Sequence, residues 1–109
     1  MDSISNSLSG MKVAQERMRN SSNNIANVAT EGFTPSRVES VQSAGGGVEV
    51  GAVTPSTAPV ASGAPSGTNL AEEMAGLLQA KNSYQANAKA LSIGVETYQS
   101  VEDMLTRNR

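Results

Sequence analysis

The side chains with chemical potential in this 109-residue chain are carboxylates, hydroxyls and carboxamides. It contains neither His nor Cys, which removes the imidazole base, the thiolate nucleophile and the thiolate metal site. Disulfides are excluded too, so cysteine usage says nothing about redox compartment. Two acidic pairs remain, Glu72-Glu73 and Glu102-Asp103. Neighbours on a helix diverge by roughly 100°, so neither pair converges on a substrate as general acid and base. The serines have no base partner. Gly45-Gly46-Gly47 is followed by Val48-Glu49 rather than by Lys-Ser/Thr, so it is not a phosphate loop. Neither an enzyme nor a cofactor or metal site is expected.

Composition points the same way. Eight Lys and Arg against ten Asp and Glu give a net charge of −2. A near-neutral chain without a basic cluster is not expected to bind nucleic acid. The start, Met1-Asp2-Ser3-Ile4-Ser5-Asn6, lacks the basic segment and apolar run of a cleaved secretory signal. No stretch approaches the roughly 20 apolar residues of a membrane span, so direct membrane insertion is not expected. The apolar fraction is 38% and the aromatics are Phe33, Tyr84 and Tyr98 alone. So few large side chains in so short a chain cannot build a generous core, and partners are expected to complete it.

Three segments must position these residues: 1–34, a helix and turn; 35–68, a flexible or extended connector; and 69–109, a second helix. In the first, Ile4, Met11, Met18 and Ile25 recur every seven residues, with Leu8, Gln15, Ser22 and Ala29 as companions and Ala14 and Val28 widening the stripe. Lys12, Glu16, Arg17, Arg19 and Asn20 lie on the opposite face. The many Ser, Asn and Gly residues weaken intrinsic propensity, so this helix needs packing to hold it. Gly32 and Pro35 mark its end near Ala29. The connector holds six of the ten glycines and all four prolines. Within it, 37–41 and 48–53 have the alternation for a small hairpin around Gly45-Gly46-Gly47. The second helix starts with Asn69 as cap and Glu72 three residues on. There Leu70, Leu77, Tyr84, Leu91, Tyr98 and Leu105 recur every seven residues without a break, with Met74, Lys81, Ala88, Val95 and Glu102 as companions. Glu72 and Glu73 near its start and Arg107 and Arg109 near its end suit the helix dipole. Gly76 and Gly94 inside it either admit a close helix or are tolerated on the surface.

The expected fold class is therefore all-α: two long helices paired as an antiparallel coiled-coil hairpin, joined by a Gly/Pro-rich connector with room for a short β-hairpin. The expected packing and assembly residues are Ile4, Leu8, Met11, Met18, Ile25, Leu70, Met74, Leu77, Tyr84, Leu91, Val95, Tyr98 and Leu105. The second helix outruns the first by about 10 residues at 1.5 Å each, leaving an apolar end for association.

Ser22-Asn23-Asn24-Ile25-Ala26-Asn27-Val28-Ala29-Thr30-Glu31-Gly32-Phe33 resembles the N-terminal signature of the bacterial flagellar rod and hook family. The segments 69–74 and 80–87, the latter containing Tyr84-Gln85-Ala86-Asn87, resemble that family's C-terminal helix. By position, Asn23, Asn24, Ile25, Ala26, Asn27, Gly32 and Phe33 form the first signature and Tyr84, Gln85, Ala86 and Asn87 the second. The connector is too short for the β-rich domains of hook and distal-rod members, and Gly46-Gly47-Val48-Glu49-Val50 resembles a segment of short proximal-rod proteins. Glu31 departs from the Pro common before the Gly. The resemblance implies a structural subunit of the basal-body rod in the periplasmic space, which self-assembles helically with other rod subunits and transmits torque. It also implies passage through the flagellar type III export apparatus without a cleaved signal. The alternative is a small secreted helical-hairpin effector or adaptor.

Overall fold

The computed structural model describes residues 2–60 and 62–108; Met1 and Arg109, named above for the chain start and the helix dipole, lie outside the described residues. Four elements follow in order: helix α1 (Asp2–Ala26), strands β1 (Ser36–Gln42) and β2 (Val48–Pro55), and helix α2 (Leu70–Arg107). The helices run antiparallel along one another. Gly94 faces Ile4, Gly10 faces Asn87 and Gly76 faces Ser21. The molecule measures 73 × 25 × 14 Å, with a radius of gyration of 19.1 Å. A compact chain of this length would have a radius of about 13 Å. The chain is therefore a flat rod with little interior. Among the described residues the buried apolar ones are Val13, Ala14, Val38 and Ala80.

The expected all-α class is corrected by β1 and β2, which form a two-stranded antiparallel ribbon. Register runs from Ser36 opposite Pro55 to Gln42 opposite Val48, and shifts between Glu39 and Ser40. Gly51 is the extra residue of that bulge, and a Cβ there would stand 2.8 Å from Val41 Cγ1. The turn closes through Ser43 N–H to Gly47 O (3.0 Å). Gly46 and Gly47 take φ of 95° and 77°, a region that favours glycine. A free ribbon of this size is marginal in water. This one persists because it lies on α1, where Val38 and Val13 are both buried.

Helix ends follow from local chemistry. Asn69 caps α2, its side-chain oxygen accepting from Glu72 N–H at 3.3 Å. α1 ends at Ala26, three residues earlier than its apolar pattern suggests. Asn27 Nδ2 donates to Asn23 O (2.9 Å), Val28 N–H turns back to Ile25 O (3.1 Å) and Thr30 N–H to Asn27 O (3.0 Å). These tighter turns satisfy the last carbonyls and stop the helix. Gly32, at φ 77°, then reverses the chain, and its N–H donates to Pro65 O at 2.8 Å.

Candidate assembly surface

The seam between the helices is built from small and polar side chains. On α1, Ser7, Ala14, Ser21 and Asn24 are buried. On α2, the covered series is Glu73, Leu77, Ala80, Tyr84, Asn87, Leu91 and Gly94, spaced alternately four and three apart. Small residues let two backbones approach closely. A Cβ at Gly10 would stand 2.7 Å from the Asn87 amide, and one at Gly94 3.2 Å from Ile4 Cγ1. Asn87 in turn donates to Ser83 O at 2.9 Å, which holds the amide across Gly10.

A second stripe on α1 carries the ribbon. Asn24 has no exposed surface. Its Nδ2 donates to Ser36 O (2.9 Å) and to Glu73 Oε1 (3.0 Å), and its Oδ1 accepts from Ser36 N–H (3.1 Å). One amide thus ties α1, β1 and α2. Asn20 doubles the anchor: its Nδ2 donates to Ser36 O (2.7 Å) and its Oδ1 accepts from Ser36 Oγ (2.7 Å). Further along, Arg17 donates to Ser40 Oγ (3.0 Å), and Val48 N–H donates to Ser9 Oγ (3.2 Å). Ser9, Val13, Arg17, Asn20 and Asn24 therefore form one stripe at three- and four-residue spacing. The far end of the connector is fastened to the same corner. Ser66 Oγ donates to Val28 O (2.7 Å) and Gly67 N–H to Phe33 O (2.9 Å).

The signature positions fall into distinct places. Asn24 is buried; Ile25, Asn27 and Phe33 are half-buried; Asn23, Ala26 and Gly32 are exposed at the corner. Tyr84 and Asn87 are half-buried against α1, whereas Gln85 and Ala86 are exposed. Of the large apolar positions, Leu77, Tyr84 and Leu91 lie in the seam, and Ile4, Met11, Met18 and Ile25 are half-buried on its flank. Leu8, Leu70, Met74, Val95, Tyr98 and Leu105 are exposed, Met74 at 58% and Leu105 at 65%. The covered companions of the leucine series on α2 are Glu73, Ala80, Asn87 and Gly94, on the other side of it from Met74 and Val95. After Gly94 every described residue of α2 is exposed.

Reading large side chains alone misses Ser7, Gly10, Ser21, Asn20, Ser36 and Glu73. For Ser7, Gly10, Asn20 and Ser21 the signal was present as small or amide residues at three- to four-residue spacing, within a stretch whose helix propensity is poor; Ser36 and Glu73, on β1 and α2, carried none. Among the described residues no group of three acidic side chains stands close enough to hold a metal, and no helix is long and apolar enough to cross a membrane. The surface leaves apolar stripes available for burial against a neighbour.

Comparison with known proteins bears on the same helix. Residues 65–104 match the family model described as flagellar basal body rod FlgEFG protein C-terminal. No curated protein matches the chain.

Proposed function

We propose, from the match of residues 65–104 to the flagellar basal body rod family model, that the chain is a rod subunit that self-assembles through its terminal helices into the torque-transmitting axial tube. The observation that carries this reading is the uncovered apolar surface of α2. Leu70, Met74, Leu78, Tyr98, Val101 and Leu105 are all exposed on a helix that has already used its small-residue seam on α1. Exposed apolar area on this scale marks association. The segments 1–34 and 69–109 act as one helical unit, and 35–68 supplies the ribbon and its tether. The neighbours are other rod subunits and further copies, in the periplasmic space. The chain reaches them through the flagellar type III export apparatus with no cleaved signal.

The asparagine-rich corner gives the signature a physical task. Asn24 and Asn20 hold Ser36, Asn27 ends α1, and Gly32 turns the chain, so the ribbon leaves the helices at a fixed angle. A subunit in a helical array needs such a fixed angle, since an error at one copy accumulates along the axis. Deleting the gene and imaging basal bodies tests the reading. Rods truncated or absent, and restored by the gene in trans, are expected; intact rotating flagella contradict it. Light scattering separates it from a secreted adaptor, which would give a discrete dimer in place of concentration-dependent polymers.

A further inference from the structure

A two-stranded ribbon has two outer edges, and this chain treats them differently. The edge of β2 is blunted. It bulges at Gly51, Pro55 has no N–H, and Val48 N–H is spent on Ser9 Oγ at 3.2 Å. β1 carries no proline and no extra residue. At one end of it Ser43 N–H donates to Gly47 O (3.0 Å), and at the other Ser56 N–H donates to Pro35 O (2.8 Å). The odd-numbered residues between them therefore turn their backbone groups to β2. Ser36, Val38, Ser40 and Gln42 turn theirs outward.

Ser36 shows what this edge accepts. Its N–H donates to Asn24 Oδ1 (3.1 Å) and its carbonyl accepts from Asn24 Nδ2 (2.9 Å), so one carboxamide stands where the peptide group of a third strand would. The next rungs have no such partner. Among the described residues, the backbone groups of Val38, Ser40 and Gln42 make no hydrogen bond outside the ribbon. Beside them an open groove of about 880 Å³ separates β1 from α2. Arg37 and Val38 stand on one wall, Gly76, Ala80 and Ser83 on the other. A strand adds at roughly 4.8 Å from its neighbour, and the small residues of α2 leave that space. A second copy's ribbon does not fit, since it would bring its own α1, a helix about 10 Å across, into the place of α2. The groove suits a lone extended segment.

Charge specifies that segment further. Arg17 is held on Ser40 Oγ (3.0 Å) and Glu73 on Asn24 (3.0 Å). Arg37 and Glu72 offset one another on opposite walls. This leaves Glu39, exposed at the middle of the edge and without an ion pair among the described residues. We propose that the outer edge of β1 takes an extended segment of another protein as a third, antiparallel strand, bonded to Val38, Ser40 and Gln42. The segment carries small side chains toward Gly76 and Ala80 and a basic one opposite Glu39. This goes beyond the rod reading and does not rest on it.

The test titrates the full isotope-labelled chain by NMR with the peptide acetyl-Ala-Val-Ala-Lys-Ala-Thr-amide, whose lysine falls opposite Glu39 when its first alanine faces Gln42. Shifts and slowed exchange are expected at the amides of Val38, Ser40 and Gln42. The same peptide with Asp in place of Lys should bind about fivefold more weakly. Ser40→Pro removes one outward N–H, a change an edge strand tolerates, and should abolish the shifts while the pairing of β1 with β2 persists. If that variant loses the ribbon, Gly76→Leu decides. A Cβ at Gly76 meets only Ser21 Oγ, at 3.6 Å, so the longer side chain should fill the groove, leave the fold intact and block the peptide. Several outcomes overturn the proposal: no shifts at millimolar peptide, equal affinity of the two peptides, shifts confined to β2, or undiminished binding to Gly76→Leu. Shifts at the β1 amides that grow with the concentration of the chain alone would place a second copy there and overturn it as well.

Discussion

Asn24 is fully buried and uses both ends of its amide, which makes it the most exacting single position in the chain. Asn24→Ala strands the Ser36 N–H and a Glu73 oxygen in a part-buried site. The expected cost is about 1–3 kcal/mol. Thermal unfolding should register it as a fall of about 4–8 °C per kcal/mol. Asn24→Asp should cost more, since a carboxylate would replace the donor that stands 3.0 Å from Glu73 Oε1. An unchanged melting temperature in both would refute the anchor. Gly10 gives a second residue-level prediction. Gly→Ala inside a helix normally gains about 1 kcal/mol, but here the added Cβ would stand 2.7 Å from the Asn87 amide. Gly10→Ala should therefore stabilise an Asn87→Ala background and fail to stabilise the wild type. Equal gains in both backgrounds would contradict the close approach. These roles were only partly legible in the sequence. The signature asparagines stand out as residues, but their partners Ser36 and Glu73 are 12 and 49 positions from Asn24, and only the packed helices bring them together.

At the scale of elements, α2 was the most legible, because six large side chains at a seven-residue interval and a capping asparagine all agree. Its partner face was not. The leucine series borders two flanks, and the apolar flank with Met74 and Val95 draws the eye. The structure covers the flank with Ala80, Asn87 and Gly94, because small residues on both helices allow closer backbones than large ones. Leu91 belongs to the seam on either reading. Leu91→Asp should lower stability and incorporation into rods more than Leu91→Ala, because it places an unpaired charge against α1; equal incorporation of the two would contradict its placement. The ribbon's existence was foreshadowed by the alternating valines, but its attachment was not. Docking depends on Ser9, Arg17, Asn20 and Asn24, residues that read in sequence as poor helix formers or a solvated face. A peptide of residues 35–56 should consequently show little strand structure by NMR on its own. A stable hairpin in isolation would mean that α1 is not what holds it.

At the scale of the whole molecule, shape and composition have one cause. A chain with 38% apolar residues and three aromatics places its bulky side chains on stripes, and the folded result is a flat rod 73 Å long in which, among the described residues, only small or β-branched apolar side chains, Val13, Ala14, Val38 and Ala80, are buried. Such a chain leaves burial unfinished, and under the proposed function assembly completes it. The absence of His and Cys narrows the chemistry available to the chain. The claim that this part belongs to the rod is tested most directly by quantitative mass spectrometry of purified basal bodies. The account predicts the intact chain there in several copies per structure, its first residues uncleaved. Absence from basal bodies, with the chain recovered as a discrete secreted dimer, would contradict it.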